Sequence, residues 1–108
     1  MKDQVVSVTE KKVVVTVQLQ LQSEQNSVDV QDFEAVFWYH GGASTGWISS
    51  KNSGKVEFKM YTTHCTCYFG VRKDKIEEQR ETPVKFAMTA YQTSSIKDNF
   101  TIQFVLKD

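Results

Sequence analysis

A chain of 108 residues is the size of one domain, here 1–108, and buries roughly two thirds of its unfolded surface without staples. Thirteen basic side chains balance thirteen acidic ones. With no net charge there is no long-range field toward a nucleic-acid backbone or an anionic membrane, so no nucleic-acid partner is expected. The opening Met1-Lys2-Asp3-Gln4 leads directly into alternation, with neither the apolar run of a signal peptide nor that of a spanning helix. As given, the chain reads as soluble without a transmembrane segment, either cytoplasmic or secreted after processing.

In chain order, alternation predicts a first strand over 4–9 and a longer one over 12–22. In the latter, Val13, Val15, Val17, Leu19 and Leu21 face one way, while Lys12, Thr16, Gln18, Gln20 and Gln22 face the other. Successive side chains of a strand point to opposite faces, so this period of two marks a half-buried β-strand. The polar run Ser23-Glu24-Gln25-Asn26-Ser27 breaks the pattern before a short strand over 28–31. A further strand over 33–40 stops at Gly41-Gly42. After a loop rich in Gly, Ser and Thr, 46–49 reads as a short edge strand, and Lys51-Asn52-Ser53-Gly54 as a turn into a strand over 55–62.

The next strand covers 65–72. Residues 72–81 are charge-dense, and the good helix formers that follow Asp74 allow one short helical turn near 74–81 or a loop. Pro83, the single proline, precedes the alternating series Val84, Phe86, Met88 and Ala90, which reads as the inward face of a strand. The last strand runs through Phe100, Ile102, Phe104 and Leu106.

Seven to nine short strands with turns between them predict an all-β fold, an antiparallel β-sandwich of immunoglobulin-like or jelly-roll-like type. An antibody-type domain is disfavoured, because two distant cysteines on facing strands are missing. The strands around Val17, Phe37, Phe58, Phe69, Phe86 and Phe104 are expected to dominate stability, each inward side chain contributing about 1.5–3 kcal/mol. The stretch from Gly54 through Phe69-Gly70-Val71 resembles the strand-and-glycine texture of small fungal and actinoporin-like β-sandwich lectins. That stretch is too short and generic for residues to be carried across, and no family is assigned on it.

Candidate functional residues come from rings set against the inward phase. Trp38, Tyr61, Tyr68 and Tyr91 are each displaced from their apolar neighbours and are expected to point outward. If they lie on neighbouring strands they form an apolar platform with polar tips, suited to a protein partner or to a sugar ring; otherwise they cover strand faces, where aromatic residues are favoured anyway. The loop His40-Gly41-Gly42-Ala43-Ser44-Thr45-Gly46-Trp47 adds His40, small hydroxyls and the Trp47 ring, a mixture suited to a polar ligand. It lacks the lysine and following helix of a phosphate loop.

Cys65 and Cys67, separated by one residue, do not form a disulfide framework, since same-face strand positions about 6.6 Å apart would need distorted geometry. Packed thiols are the expectation. His64-Cys65-Thr66-Cys67 with His40 offers soft metal ligands, but structural zinc sites leave two to four residues between paired cysteines, so no metal or other cofactor is assigned. Neighbours on a strand point to opposite faces, so His64 and Cys65 make no nucleophile and base. Asn99-Phe100-Thr101 fits the glycosylation pattern and matters only in a secretory context.

The expected function is non-catalytic recognition, by protein–protein interaction or self-assembly through the aromatic strand face and the 40–50 loop. A lectin-like carbohydrate-binding module is the alternative, and a Cys/His metal-binding protein the second. The candidate binding residues are Trp38, His40, Trp47, Tyr61, Tyr68 and Tyr91; no catalytic or metal-ligating residue is named.

Overall fold

The computed structural model describes residues 12–61, 66–73 and 85–107. Among these are eight strands: β1 (Lys12–Ser23), β2 (Asn26–Asp29), β3 (Glu34–Tyr39), β4 (Ile48–Ser49), β5 (Val56–Tyr61), β6 (Thr66–Arg72), β7 (Phe86–Gln92) and β8 (Phe100–Lys107). The only helical piece among them is a 3-10 turn at Thr93–Ser95. The strand expected over 4–9 and the helical turn expected near 74–81 lie outside the described residues, as does Cys65.

β1 is the axis of the first sheet, sheet A. Its valines are β-branched and stiff, which suits a pleated surface, and Val13, Val15 and Val17 are fully buried with Leu19 almost so. Along one flank, β5 pairs antiparallel with Lys12–Val17 and β2 pairs antiparallel with Gln20–Ser23. Ser23 lies opposite Asn26, so β1 turns into β2 through the two residues Glu24-Gln25, with Glu24 in the left-handed region (φ 41°).

Along the other flank β8 runs parallel to β1, from Val15 opposite Phe100 to Gln22 opposite Lys107. Sheet A is therefore mixed, which corrects the all-antiparallel expectation. Alternation fixes a strand's faces but carries no information on neighbour or direction. A parallel partner needs a long connection, and here most of the chain separates the two strands.

Sheet B has the order β4-β3-β6-β7 and is antiparallel throughout. The inward side chains of both sheets form one core: Val13, Val15, Val17, Leu19, Phe58, Met60, Ile102 and Phe104 from sheet A meet Ala35, Phe37, Cys67, Phe69 and Val71 from sheet B. Ring contacts cross between the sheets, Phe37 to Phe58 at 5.9 Å and Phe58 to Phe69 at 6.0 Å between centroids. A hydrogen bond crosses as well, from the Tyr61 N–H to the Tyr39 hydroxyl at 3.2 Å. Cys67 is buried in this core.

A buried serine ties the segment before β3 to the one after β4. Ser50 Oγ accepts the Phe33 N–H and donates to the Gln31 carbonyl, both at 2.9 Å, while the Ser50 N–H donates to the Phe33 carbonyl at 2.8 Å. Its own carbonyl accepts from the Ser53 N–H and hydroxyl. With these bonds made, a polar side chain only 4% exposed carries no desolvation penalty left unmet.

The phase of β7 is the reverse of the expected one. Phe86 is 61% and Met88 56% exposed, and Ala90 is exposed with them, whereas Ala87, Thr89 and Tyr91 are half-buried. Pairing with β6 decides it: Val71 lies opposite Ala87, Phe69 opposite Thr89 and Cys67 opposite Tyr91. Residues directly opposite share a face, and Val71, Phe69 and Cys67 have no exposed surface, so their partners turn inward. Phe86 is thus not a core residue, unlike Val17, Phe37, Phe58, Phe69 and Phe104.

Candidate functional site

The outward phase of sheet B assembles in rows set by strand register. One row is Glu34, Arg72 and Phe86; the next is Val36, Gly70 and Met88; the third is Trp38, Tyr68 and Ala90. Beyond them the His40 N–H donates to the Thr66 carbonyl at 2.8 Å, and Thr66 lies opposite Gln92.

In the third row Trp38 and Tyr68 stack, with centroids 5.2 Å apart and planes 20° from parallel. At that separation the rings are offset-stacked, each covering part of one face of the other. The Tyr68 hydroxyl is 2.9 Å from His40 Nδ1. Trp38, Tyr68 and His40, named separately from the sequence, are therefore one cluster.

In the middle row, glycine lets two side chains close over the strand. A Cβ on Gly70 would lie 3.1 Å from Val36 Cγ1 and 3.4 Å from Met88 Cγ. Val36 is consequently only 6% exposed although it points away from the core.

The first row is electrostatic. Arg72 Nε donates to Glu34 Oε1 at 2.8 Å, and these side chains are only 12% and 13% exposed. Trp47 lies against the pair, its ring centroid 4.1 Å from the Arg72 guanidinium carbon. A charge held near an aromatic face and away from water is stabilised by the ring quadrupole. Trp47 thus covers an ion pair, a role that its place in a Gly/Ser/Thr loop did not signal.

The loop leading to Trp47 folds back along β3. Thr45 Oγ1 accepts the Phe37 N–H at 3.1 Å and donates to the Gly46 carbonyl at 2.9 Å, and Ser44 Oγ accepts the Gly46 N–H at 3.0 Å. Gly41 and Gly46 supply the left-handed turns at φ 70° and 73°. These hydroxyls are engaged with the backbone of the loop and of β3, and the one large side chain of the loop is the Trp47 ring, 38% exposed.

The remaining two candidates lie elsewhere. Tyr61 is on the outward side of sheet A, with Lys12 Nζ 5.9 Å from its ring centroid. Tyr91, expected outward, packs against the core, edge-on to Phe69 at 6.0 Å and to Phe100 at 5.4 Å. It also borders a shallow depression of about 360 Å³ with Ile96, Asn99 and Phe100. Four of the six rings thus share the outward side of sheet B, and Phe86 and Met88, assigned to the core from the sequence, join them there.

The outward side of sheet A differs in kind. It carries Thr16, Gln18 and Gln20 on β1, Glu57 and Lys59 on β5, and Thr101 and Gln103 on β8, with Val14, Tyr61 and Val105 as its apolar members. Both outward sides thus expose apolar groups, and sheet B carries more of the large ones, Trp38, Trp47, Tyr68, Phe86 and Met88 against Tyr61.

Among the described residues no group of three or more His, Cys, Asp or Glu side chains is placed to hold a metal ion, and no helix is long and apolar enough to cross a membrane. Comparison with protein-family models, curated proteins and solved structures found no match.

Proposed function

We propose that the two sheets are the layers of a β-sandwich and that the chain is a non-catalytic recognition module, joined through the outward side of sheet B to a second copy of itself. The difference between the two outward sides carries this reading: sheet A sets Val14, Tyr61 and Val105 among glutamines, threonines and charges, while sheet B groups Trp38, Tyr68, Trp47, Phe86 and Met88. Exposed apolar surface gathered on one side is the character of an interface. A second copy fits its electrostatics, because Glu34 and Arg72 already neutralise each other and the whole chain has no net charge to repel its like.

Sedimentation velocity on three proteins tests this. The wild type and Val105→Lys, which changes an exposed apolar residue of sheet A, are expected to associate equally; Met88→Lys is expected to sediment as one chain. Association undiminished in Met88→Lys would overturn the reading.

A glycan is the second reading, supported by the grouping of Trp38, Tyr68 and His40, which offers rings beside hydrogen-bonding groups. It is weaker because Trp38 and Tyr68 are offset-stacked on each other, so part of one face of each ring is already occupied. Binding on a glycan panel, lost in Trp38→Ala, would favour it over self-assembly.

A further inference from the structure

We infer that the second copy adds to sheet B along the open edge of β7, the two β7 strands pairing antiparallel so that the sheet continues from one chain into the next. This rests on the reading of sheet B as the assembly side and specifies how that side is used.

Among the described residues β7 pairs with β6 on one side and with no strand on the other. An unpaired edge offers a row of N–H and C=O groups, and proteins that stay apart blunt such edges with charges, proline or very short strands. Three of the other four edges carry those devices. β4 has two residues, β2 has four and ends in Asp29, and β5 carries Glu57 and Lys59. β8 is the exception, eight residues without proline and charged only at Lys107, but the side chains it turns outward are Thr101, Gln103, Val105 and Lys107, of which Val105 alone is apolar.

β7 reads Phe-Ala-Met-Thr-Ala-Tyr-Gln, seven residues without a charge or a proline. It also bears the two most exposed apolar side chains of sheet B, Phe86 at 61% and Met88 at 56%, while Val36 on the central strand β3 is 6% exposed. The most exposed apolar side chains of sheet B therefore lie along its β7 edge, where an added strand would flank them.

The strand is complementary to its own two-fold mate. Full overlap of 86–92 centres on Thr89, which then faces Thr89 of the second copy. On the outward side Met88 meets Ala90 and Phe86 meets Gln92; on the inward side Ala87 meets Tyr91. Large side chains oppose small or uncharged ones, threonines pair, and no like charges meet. Isologous pairing of this kind closes at two chains.

Amide hydrogen exchange of the wild type at low and high concentration, with the molar mass of Ala90→Lys, tests the inference. Concentration-dependent slowing by at least about tenfold confined to amides in 86–92, with Ala90→Lys remaining a folded single chain, is the expected result. If the wild type associates and Met88→Lys does not, yet the 86–92 amides exchange at their dilute rate, copies stack face to face; edge pairing is overturned and the sheet B reading stands. A wild type that remains a single chain at every concentration overturns both.

Discussion

The guanidinium carbon of Arg72 lies 4.1 Å from the centre of the Trp47 ring while its Nε holds Glu34 Oε1 at 2.8 Å, so a β6 cation is closed between a carboxylate of β3 and a loop indole. The arrangement pins the 40–50 loop to the outward side of sheet B. Glu34→Ala leaves the guanidinium largely buried without its anion and is expected to cost about 3 kcal/mol. Trp47→Ala removes only the ring and is expected to cost about 1 kcal/mol. Urea unfolding of both variants checks the order; a larger loss from Trp47→Ala would show that the ring, not the ion pair, holds the loop.

Ser50 is expected to matter more than its size implies. Ser50→Ala removes the acceptor of the Phe33 N–H and the donor to the Gln31 carbonyl in a site closed to water. The expected destabilisation is about 1–3 kcal/mol. Ser53→Ala loses a hydroxyl at an exposed residue and is expected to lose less, which thermal melting of the pair would show.

The phase of β7 predicts a contrast between two phenylalanines. Phe69→Ala empties a fully buried position and is expected to cost about 3–5 kcal/mol, whereas Phe86→Ala changes an exposed one and is expected to stay within about 0.5 kcal/mol. Equal losses in denaturant midpoint would show that Phe86 points inward after all.

That contrast also shows where sequence reasoning reached its limit. In β1 the two phases are unlike, valines and leucine against lysine, threonine and glutamines, and alternation alone identifies the buried side. In β7 one phase is Phe86, Met88 and Ala90 and the other Ala87, Thr89 and Tyr91, so hydrophobicity favours the wrong side and only the register with β6 decides. For Trp38 and Tyr68 the displaced phase was legible in each strand, and their stacking needed the β3–β6 register that places them opposite. Glu34 and Arg72 share the outward phase of those same strands, a signal present in the sequence, but their pairing spans 38 positions. The parallel partnership of β1 and β8 left no local trace at all.

Asn99 joins that parallel pair from the side. Its Oδ1 accepts the Val14 N–H at 2.8 Å just where β8 begins beside β1. Asn99→Ala is expected to cost about 0.5–1.5 kcal/mol, since water replaces the lost acceptor at an exposed site. Faster exchange of the Val14 amide, with the middle of β1 unchanged, is the signature expected; an unaltered Val14 rate would contradict the assignment.

Assembly through sheet B is tested most directly by the molar mass of the wild-type chain, from light scattering across a concentration series at moderate salt. The account predicts a mass rising with concentration from one chain, 12.4 kDa, toward twice that value. A mass of one chain at every concentration would contradict it.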